Sequence, residues 1–256
     1  MAAFSEVRRV FPIRSSSSEA PDLSIILATY NESASIGNTL DLIFRVFPES
    51  VEVIVVDDDS PDGTAAIAEE RGDRRVRVIC RRAERGLASA VRRGTQEARG
   101  KVIAWFDCDM GYVVKYLPSM LAQLGEADIV IGSRYVPGGA DRRPARRVLP
   151  SLCINALARF FLGARLRDYD SGFAVVRAEV LRRVEIRPPG FGEYFIEFLH
   201  ESRRKGFRIL EHPYVLTQRD KGASKSATHL RTFLRFGLGY ARRVLQVWFR
   251  SFSGIG

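Results

Sequence analysis

Cysteine is scarce in this 256-residue chain: Cys80, Cys108 and Cys153 lie far apart and never in a CxxC spacing. That excludes a disulfide framework and a cysteine-ligated zinc site, and it points to reduced thiols in a cytosolic setting. Histidine is equally thin. His200, His212 and His229 are scattered, so they read as structural or surface residues rather than metal ligands. No apolar run reaches the roughly 18–20 residues that a bilayer crossing needs. The first residues carry Arg8, Arg9 and Arg14 but no apolar segment, which reads against a secretory signal. Residues 1–21, with the run Ser15–Ser18, read as a flexible tail outside the fold, and no internal repeat is visible. Acids are also in deficit: 30 Asp and Glu face 40 Lys and Arg, a formal net charge of +10. Such a chain favours a polyanionic partner, which charge alone leaves open among nucleic acid, an anionic membrane and a phosphorylated substrate.

What is present is a chain able to build one substantial core. Hydrophobic residues make up 46% and charged ones 27%, which argues against wholesale disorder. Short apolar runs rich in β-branched residues read as buried strands at Leu23–Thr29, Val51–Val56, Val76–Cys80, Val102–Phe106 and Asp128–Gly132. Between them, helical spacing marks Ala34–Phe47, Asp62–Arg71, Leu87–Arg99 and Lys115–Leu124. Strands alternating with helices at short intervals predict a parallel, doubly wound α/β sheet, which binds ligands beyond the carboxyl ends of its strands. Past Gly132 the pattern loosens. Arg134–Arg147 reads as a basic Gly/Pro-containing loop, Ser151–Leu162 as a helix, Asp168–Val176 as the lead into a strand, Phe191–Lys205 as a helix and Phe207–Val215 as a strand. Gln218–Ser226 reads as a polar loop and His229–Phe252 as a last helix.

Polar residues gather where such a sheet binds. The first strand ends in Tyr30-Asn31-Glu32, the second in Asp57-Asp58-Asp59 and the fourth in Asp107-Cys108-Asp109. Clustered carboxylates repel one another unless cations or hydrogen-bond donors offset them. Asp62 reads as a helix cap. Asp107 and Asp109, one residue apart, present oxygens suited to Mg2+ or Mn2+, which is typically held by one or two carboxylates plus substrate phosphates. By strand alternation Cys108, between them, points into the core as a small filler.

The segments "LSIILATYNES", "VIVVDDDSPDGT", "RGLASAVRRGTQEARG", "FDCDM", "IGSRYVPGG", "DYDSGF" and "GASK" occur in this order. Together they resemble family 2 glycosyltransferases, in the branch of dolichol-phosphate mannose synthases and polyprenyl-phosphate hexose transferases. The likeness runs from Asp22 to about Lys225. It implies a GT-A (Rossmann-like) α/β fold with a mostly parallel sheet over 22–226; beyond it, residues 227–256 read from their own spacing as a basic amphipathic helix. It implies transfer of a hexose, mannose from GDP-mannose, to a polyprenyl or dolichyl phosphate with inversion at the anomeric carbon. On that likeness Tyr30 and Glu32 contact base and ribose, Asp57 sits near the nucleoside with Asp58 beside it, and Ala28 belongs to the same donor site. Asp107 and Asp109 are the DxD pair that holds Mg2+ or Mn2+, Asp109 the better ligand. Arg134 approaches the phosphates, and Arg219, Ser224 and Lys225 lie in a loop that closes over donor diphosphate and acceptor phosphate.

The sequence departs from that pattern in two places. Ala28 stands where the family usually has proline. After the DxD the run is Met110-Gly111-Tyr112-Val113-Val114-Lys115: Gly111 offers no side-chain ligand, Val113 and Val114 replace a Pro-Pro turn and Lys115 replaces an acid. In the last helix Leu230, Phe233, Leu234, Leu238, Ala241, Val244, Leu245, Trp248 and Phe252 follow helical spacing among arginines. That face suits packing on the core or lying in a membrane interface. The expected partners are a nucleotide-sugar donor, a polyprenyl phosphate, a membrane surface and, as an alternative anchor, a membrane-bound subunit, but no nucleic acid; Arg142–Arg147 reads as facing phosphates of lipid or acceptor. The expected place is peripheral, on the cytoplasmic face of a membrane. Two other readings stay open: a transferase using UDP-glucose or a sugar acceptor, with Asp168 or Asp170 as base, and a non-catalytic basic binding module on this fold.

Overall fold

The structure is a computed structural model that describes residues 21–49, 51–163, 166–188, 192–217 and 230–253; in the last of these stretches it describes the side chains of 239–250. Nine strands are described: β1 (Leu23–Thr29), β2 (Val51–Asp57), β3 (Val76–Cys80), β4 (Val102–Trp105), β5 (Ile129–Ser133), β6 (Ala140–Asp141), β7 (Ala174–Arg177), β8 (Ile209–Pro213) and β9 (Val215–Leu216). The helices are α1 (Ser33–Val46), α2 (Thr64–Glu70), α3 (Leu87–Glu97), α4 (Leu117–Gln123), α5 (Ala145–Leu162), α6 (Ala178–Arg183), α7 (Tyr194–Arg204) and α8 (Leu230–Ser253), with a 3-10 helix at Cys108–Tyr116.

Seven strands form one sheet in the order β3-β2-β1-β4-β7-β5-β8, and β6 pairs with β9 apart from it. β1 runs parallel to β2 and β4, whereas β7 runs antiparallel to both β4 and β5. The sheet is therefore mostly parallel, as expected, with one reversed strand near its middle. Side chains alternate between its faces, and both faces are covered. Ile25, Leu27, Val53 and Val55 pack on one side with Ile36, Leu40 and Ile43 of α1 and with the 3-10 helix and α4. Ile26, Ile54 and Val56 pack on the other with Ala88 and Val91 of α3 and with Phe195 and Phe198 of α7. Burial on both faces is why β1 and β2 read as unbroken apolar runs rather than alternating ones.

Two boundaries differ most from the sequence reading, the other helix and strand ends shifting by up to about three residues. The basic stretch Arg134–Arg147 is a loop only to Pro144, interrupted by the short strand β6; α5 starts at Ala145 and carries Pro150 inside it. Proline lacks the N–H that the helix would use there, so the pattern resembles a start at Ser151. The helix expected over Lys115–Leu124 is α4, preceded by the 3-10 turns from Cys108 to Tyr116.

Candidate active site

The carboxyl ends of β1, β2 and β4 lie side by side. Thr29 pairs with Asp57 in the β1–β2 register, and Ile26 pairs with Trp105 across β1–β4. Continuing that second register by two residues sets Asp107 level with Ala28. The strand ends thus bring Ala28, Tyr30, Asp57, Asp58, Asp107 and Asp109 to one edge.

They do different work there. Asp57 is fully buried. Its carboxylate accepts hydrogen bonds from Thr29 Oγ1 at 2.8 Å, Ser60 N at 2.8 Å and Ser60 Oγ at 2.6 Å. Ser60 Oγ in turn accepts from the Asn31 N–H at 2.9 Å. Asn31 and Asp59 both take the left-handed backbone, with φ of 54° and 58°, and this turns the chain sharply off each strand. Asp57 thereby welds the loops after β1 and β2 together, and its carboxylate, expected near the nucleoside, is engaged in this bracing. Asp58 is nearly buried and accepts from Arg81 Nε at 2.8 Å and Gly86 N at 2.7 Å. Arg81 also donates from Nη1 to Ser89 Oγ at 2.9 Å. This network fixes the start of α3, whose preceding Gly86 adopts φ 129°, a conformation a side chain disfavours. Arg81 went unremarked in the sequence; its only signal was a charged residue directly after a strand.

Tyr30 is exposed, with the Arg85 guanidinium 5.6 Å from its ring centroid. The Glu32 N–H donates to Thr64 Oγ1 at 2.8 Å, fixing the entry to α1 against α2. Asp62 does cap, and caps twice: it accepts from Ser33 N at 3.0 Å and Thr64 N at 3.1 Å, the first residues of α1 and α2. Burial pulls its carboxyl upward, but the bonds from Thr64 and Ser33 outweigh that and bring it down to about 2.

Asp107 is exposed and Asp109 half-buried at the mouth of the 3-10 helix. Cys108 between them is buried, as its alternation predicts. Its carbonyl accepts from Thr39 Oγ1 of α1 at 2.7 Å. This contact explains Gly111: a Cβ there would lie 2.5 Å from Thr39 Oγ1 and 3.2 Å from Leu42 Cδ1. The position is closed by packing, so no side-chain ligand fits beside the pair. Beneath them Tyr194 is buried, and its hydroxyl is pushed well up, first by burial and then by the charge of Asp107.

Arg134, expected at the phosphates, has its guanidinium buried among carboxylates. Its Nε and Nη2 donate to Asp168 at 2.7 and 2.6 Å, and its Nη2 also pairs with Asp170. Its Nη1 lies 3.4 Å from Asp141, which is also bound by Arg143. Ser151 Oγ and Asn155 Nδ2 of α5 each donate to Asp170 at 2.9 Å. Burial pushes the Asp168 carboxyl up to about 6, against the pull of Arg134 and with the repulsion of Asp170. A buried arginine unites residues too far apart in sequence for any motif to show their contact. Asp168 is fully buried and triply bonded to Arg134. Arg219, Ser224 and Lys225 lie outside the described residues.

The hard oxygens of Asp107 and Asp109 suit a divalent cation that takes its remaining ligands from phosphate and water. Among the described residues no group of three or more His, Cys, Asp or Glu is placed to hold a metal by protein ligands alone, and no helix is long and apolar enough to cross a membrane.

The chain is 34% identical over 218 residues to the polyprenol monophosphomannose synthase of Mycolicibacterium smegmatis, covering 81% of this chain and 82% of that one. It is 36% identical over 209 residues to the undecaprenyl-phosphate mannosyltransferase of Micrococcus luteus, covering 78% and 85% respectively. Among solved structures it superposes on glucosyl-3-phosphoglycerate synthase from Mycobacterium tuberculosis, crystallised with Mn2+ and uridine diphosphate. The TM-score is 0.73 at 19% identity, over 95% of this chain and 83% of that one, and this likeness shows the GT-A fold. Residues 24–185 match the family described as glycosyl transferase family 2, and on these grounds the chain belongs to that family.

Proposed function

We propose that this protein transfers mannose from GDP-mannose to a polyprenyl or dolichyl phosphate, with inversion, at a membrane surface on its cytoplasmic face. The observation that carries the reading is the edge where β1, β2 and β4 deliver Tyr30, Asp58, Asp107 and Asp109 together. It occurs in a family 2 chain whose relatives include a polyprenol monophosphomannose synthase and an undecaprenyl-phosphate mannosyltransferase.

The chemistry matches what the site contains. An acceptor oxygen of the lipid phosphate attacks the sugar's anomeric carbon as the bond to the nucleoside diphosphate breaks. A phosphate monoester has a second pKa near about 6, so at neutral pH the acceptor is already an anion and needs no general base. That favours a lipid phosphate over a sugar hydroxyl, because Asp168 and Asp170 are spent on Arg134. Asp107 and Asp109 would hold Mg2+ or Mn2+, which when bound offsets the charge of the diphosphate leaving group. Asp57 and Asp58 keep the strand-end loops and the start of α3 rigid around the donor. Tyr30 offers an exposed ring for the base. The cations of Arg219 and Lys225 would hold two phosphorylated substrates together, with the Ser224 hydroxyl as a further donor.

The test is transfer of labelled hexose into a lipid fraction, with polyprenyl phosphate, Mg2+ or Mn2+, and GDP-mannose or UDP-glucose in parallel. Label from GDP-mannose alone, lost in Asp109→Ala, is the expected result. Label only from UDP-glucose would replace the donor, and no label with either in folded protein would overturn the reading.

A further inference from the structure

Two helices that touch each other turn apolar side chains toward water. On α5, Ala145, Leu149, Leu152, Ala156 and Phe160 recur at three- and four-residue intervals and all are exposed; Leu149 is 60% and Phe160 80% accessible. On α8, Leu245 and Phe249, one turn apart, are exposed as well, Phe249 at 60%. The two stripes share a seam. Phe161 and Trp248 meet edge to face at 5.5 Å, as do Phe160 and Phe161 at 5.1 Å and Trp248 and Phe249 at 4.8 Å.

The opposite faces of both helices are already used. Ser151, Asn155 and Ala158 of α5 and Val244 and Val247 of α8 are buried. Glu197 of α7, itself buried, pairs with Arg243 at 2.7 Å and Arg250 at 3.0 Å and locks α8 in place. Neither helix can therefore rotate its outward phenylalanines inside. α8 therefore has one face packed on the core and another turned outward.

Charge says what covers the outward faces. Residues 142–163 contain Arg142, Arg143, Arg146, Arg147 and Arg159 but no acid, and residues 227–256 likewise contain arginines and no acid. Arg146, Arg159 and Arg242 are exposed. A helix that only faces water ordinarily mixes both signs. Exposed phenylalanine and leucine rimmed by arginine alone is the composition of a helix lying in a bilayer interface, and the sign is complementary to anionic head groups.

We propose that the outward faces of α5 and α8 together form the surface on which this protein lies against an anionic bilayer. Leu149, Phe160 and Phe249 enter the interface, and Arg146, Arg159 and Arg242 meet head-group phosphates. The inner face of α5 carries Ser151 and Asn155, which bond to Asp170, so the docked helix is tied to the Arg134 cluster inside the protein. The proposal deepens, and partly rests on, the reading of the acceptor as a membrane lipid.

The test uses the full chain and vesicles that lack polyprenyl phosphate, made of phosphatidylcholine alone or with phosphatidylglycerol. Two variants are compared with wild type: the pair Phe160→Ser and Phe249→Ser, and the pair Arg159→Glu and Arg242→Glu. Wild type is expected to co-sediment with the anionic vesicles, and each variant to lose about tenfold or more in bound fraction. Both variants should keep the wild-type melting temperature and transfer to a short-chain, water-soluble acceptor phosphate. No wild-type binding, or equal binding by the variants, would overturn the proposal. So would a dimer of wild type that the phenylalanine variant dissolves, since the occupant would then be a second copy. Vesicle binding without transfer to any lipid phosphate would instead overturn the functional reading and leave the docking surface standing.

Discussion

Arg134 and Asp109 differ in what their removal should reveal. Arg134→Met would leave Asp141, Asp168 and Asp170 around an apolar side chain, with no guanidinium between them. Breaking a buried ion pair from one side costs about 3–5 kcal/mol. The expected outcome is a large fall in the denaturant midpoint; a group that only touched the donor phosphates would raise KM and leave the midpoint in place. Asp109→Asn should do the reverse. The side chain keeps its size, so the melting temperature should hold in the absence of ligands. Second-shell metal partners alone are worth about 10–100-fold, so loss of the direct ligand proposed at Asp109 should lower transfer by about a hundredfold or more. Stabilisation of the protein by Mn2+ with GDP, read as a shift in melting temperature, should disappear with it.

At the scale of elements, the loops after β1 and β2 are held by one short acid. Asp62 serves the first N–H groups of both α1 and α2, whereas an ordinary cap serves one helix. Asp62→Ala should therefore cost about 1–2 kcal/mol, the upper part of the usual capping range. The pH dependence follows from a depressed carboxyl. An unfolded aspartate titrates near about 3.9, and Asp62 in the fold titrates at about 2. Its contribution is present above the unfolded value and is lost as pH falls through the folded one. The stability gap between wild type and Asp62→Ala should be constant at neutral pH and close progressively below about pH 4. A gap unchanged at pH 2 would mean that the carboxylate's charge plays no part in the cap.

For the whole molecule the question is whether the last helix is an appendage or part of the body. Val244 and Val247 lie in the same core as Trp105, Phe195 and Phe198, and the Glu197 pairs fasten the helix from the side. Truncation after Gly239 should therefore destabilise the catalytic fold itself. Two buried valines contribute about 1.5–3 kcal/mol each, so a loss of about 3–6 kcal/mol is expected in chemical denaturation. An unchanged unfolding midpoint would make the helix a separate unit with a boundary near residue 227.

The alternation of apolar runs with helical spacing determined the sheet, its layers and the acidic edge, because backbone periodicity and burial are local properties that two or three turns of sequence express. The DxD pair and the strand-end loops were legible for the same reason: each sits within a few residues of a strand. What only the tertiary structure decided is which charges are inside. Nothing in the order of residues shows that Arg134 reaches Asp141, Asp168 and Asp170, or that Arg81 reaches Asp58. Those pairings depend on strands β5 and β7 coming together in reversed directions and on α3 settling against β2. The same holds for Gly111, an apparent gap in the motif that proves to be a close approach of two helices. It holds too for α5 and α8, whose outward phenylalanines become one surface only when the helices meet at Phe161 and Trp248. Side-chain chemistry is written residue by residue, but the partner that neutralises, covers or exposes it is chosen by the packing of distant elements.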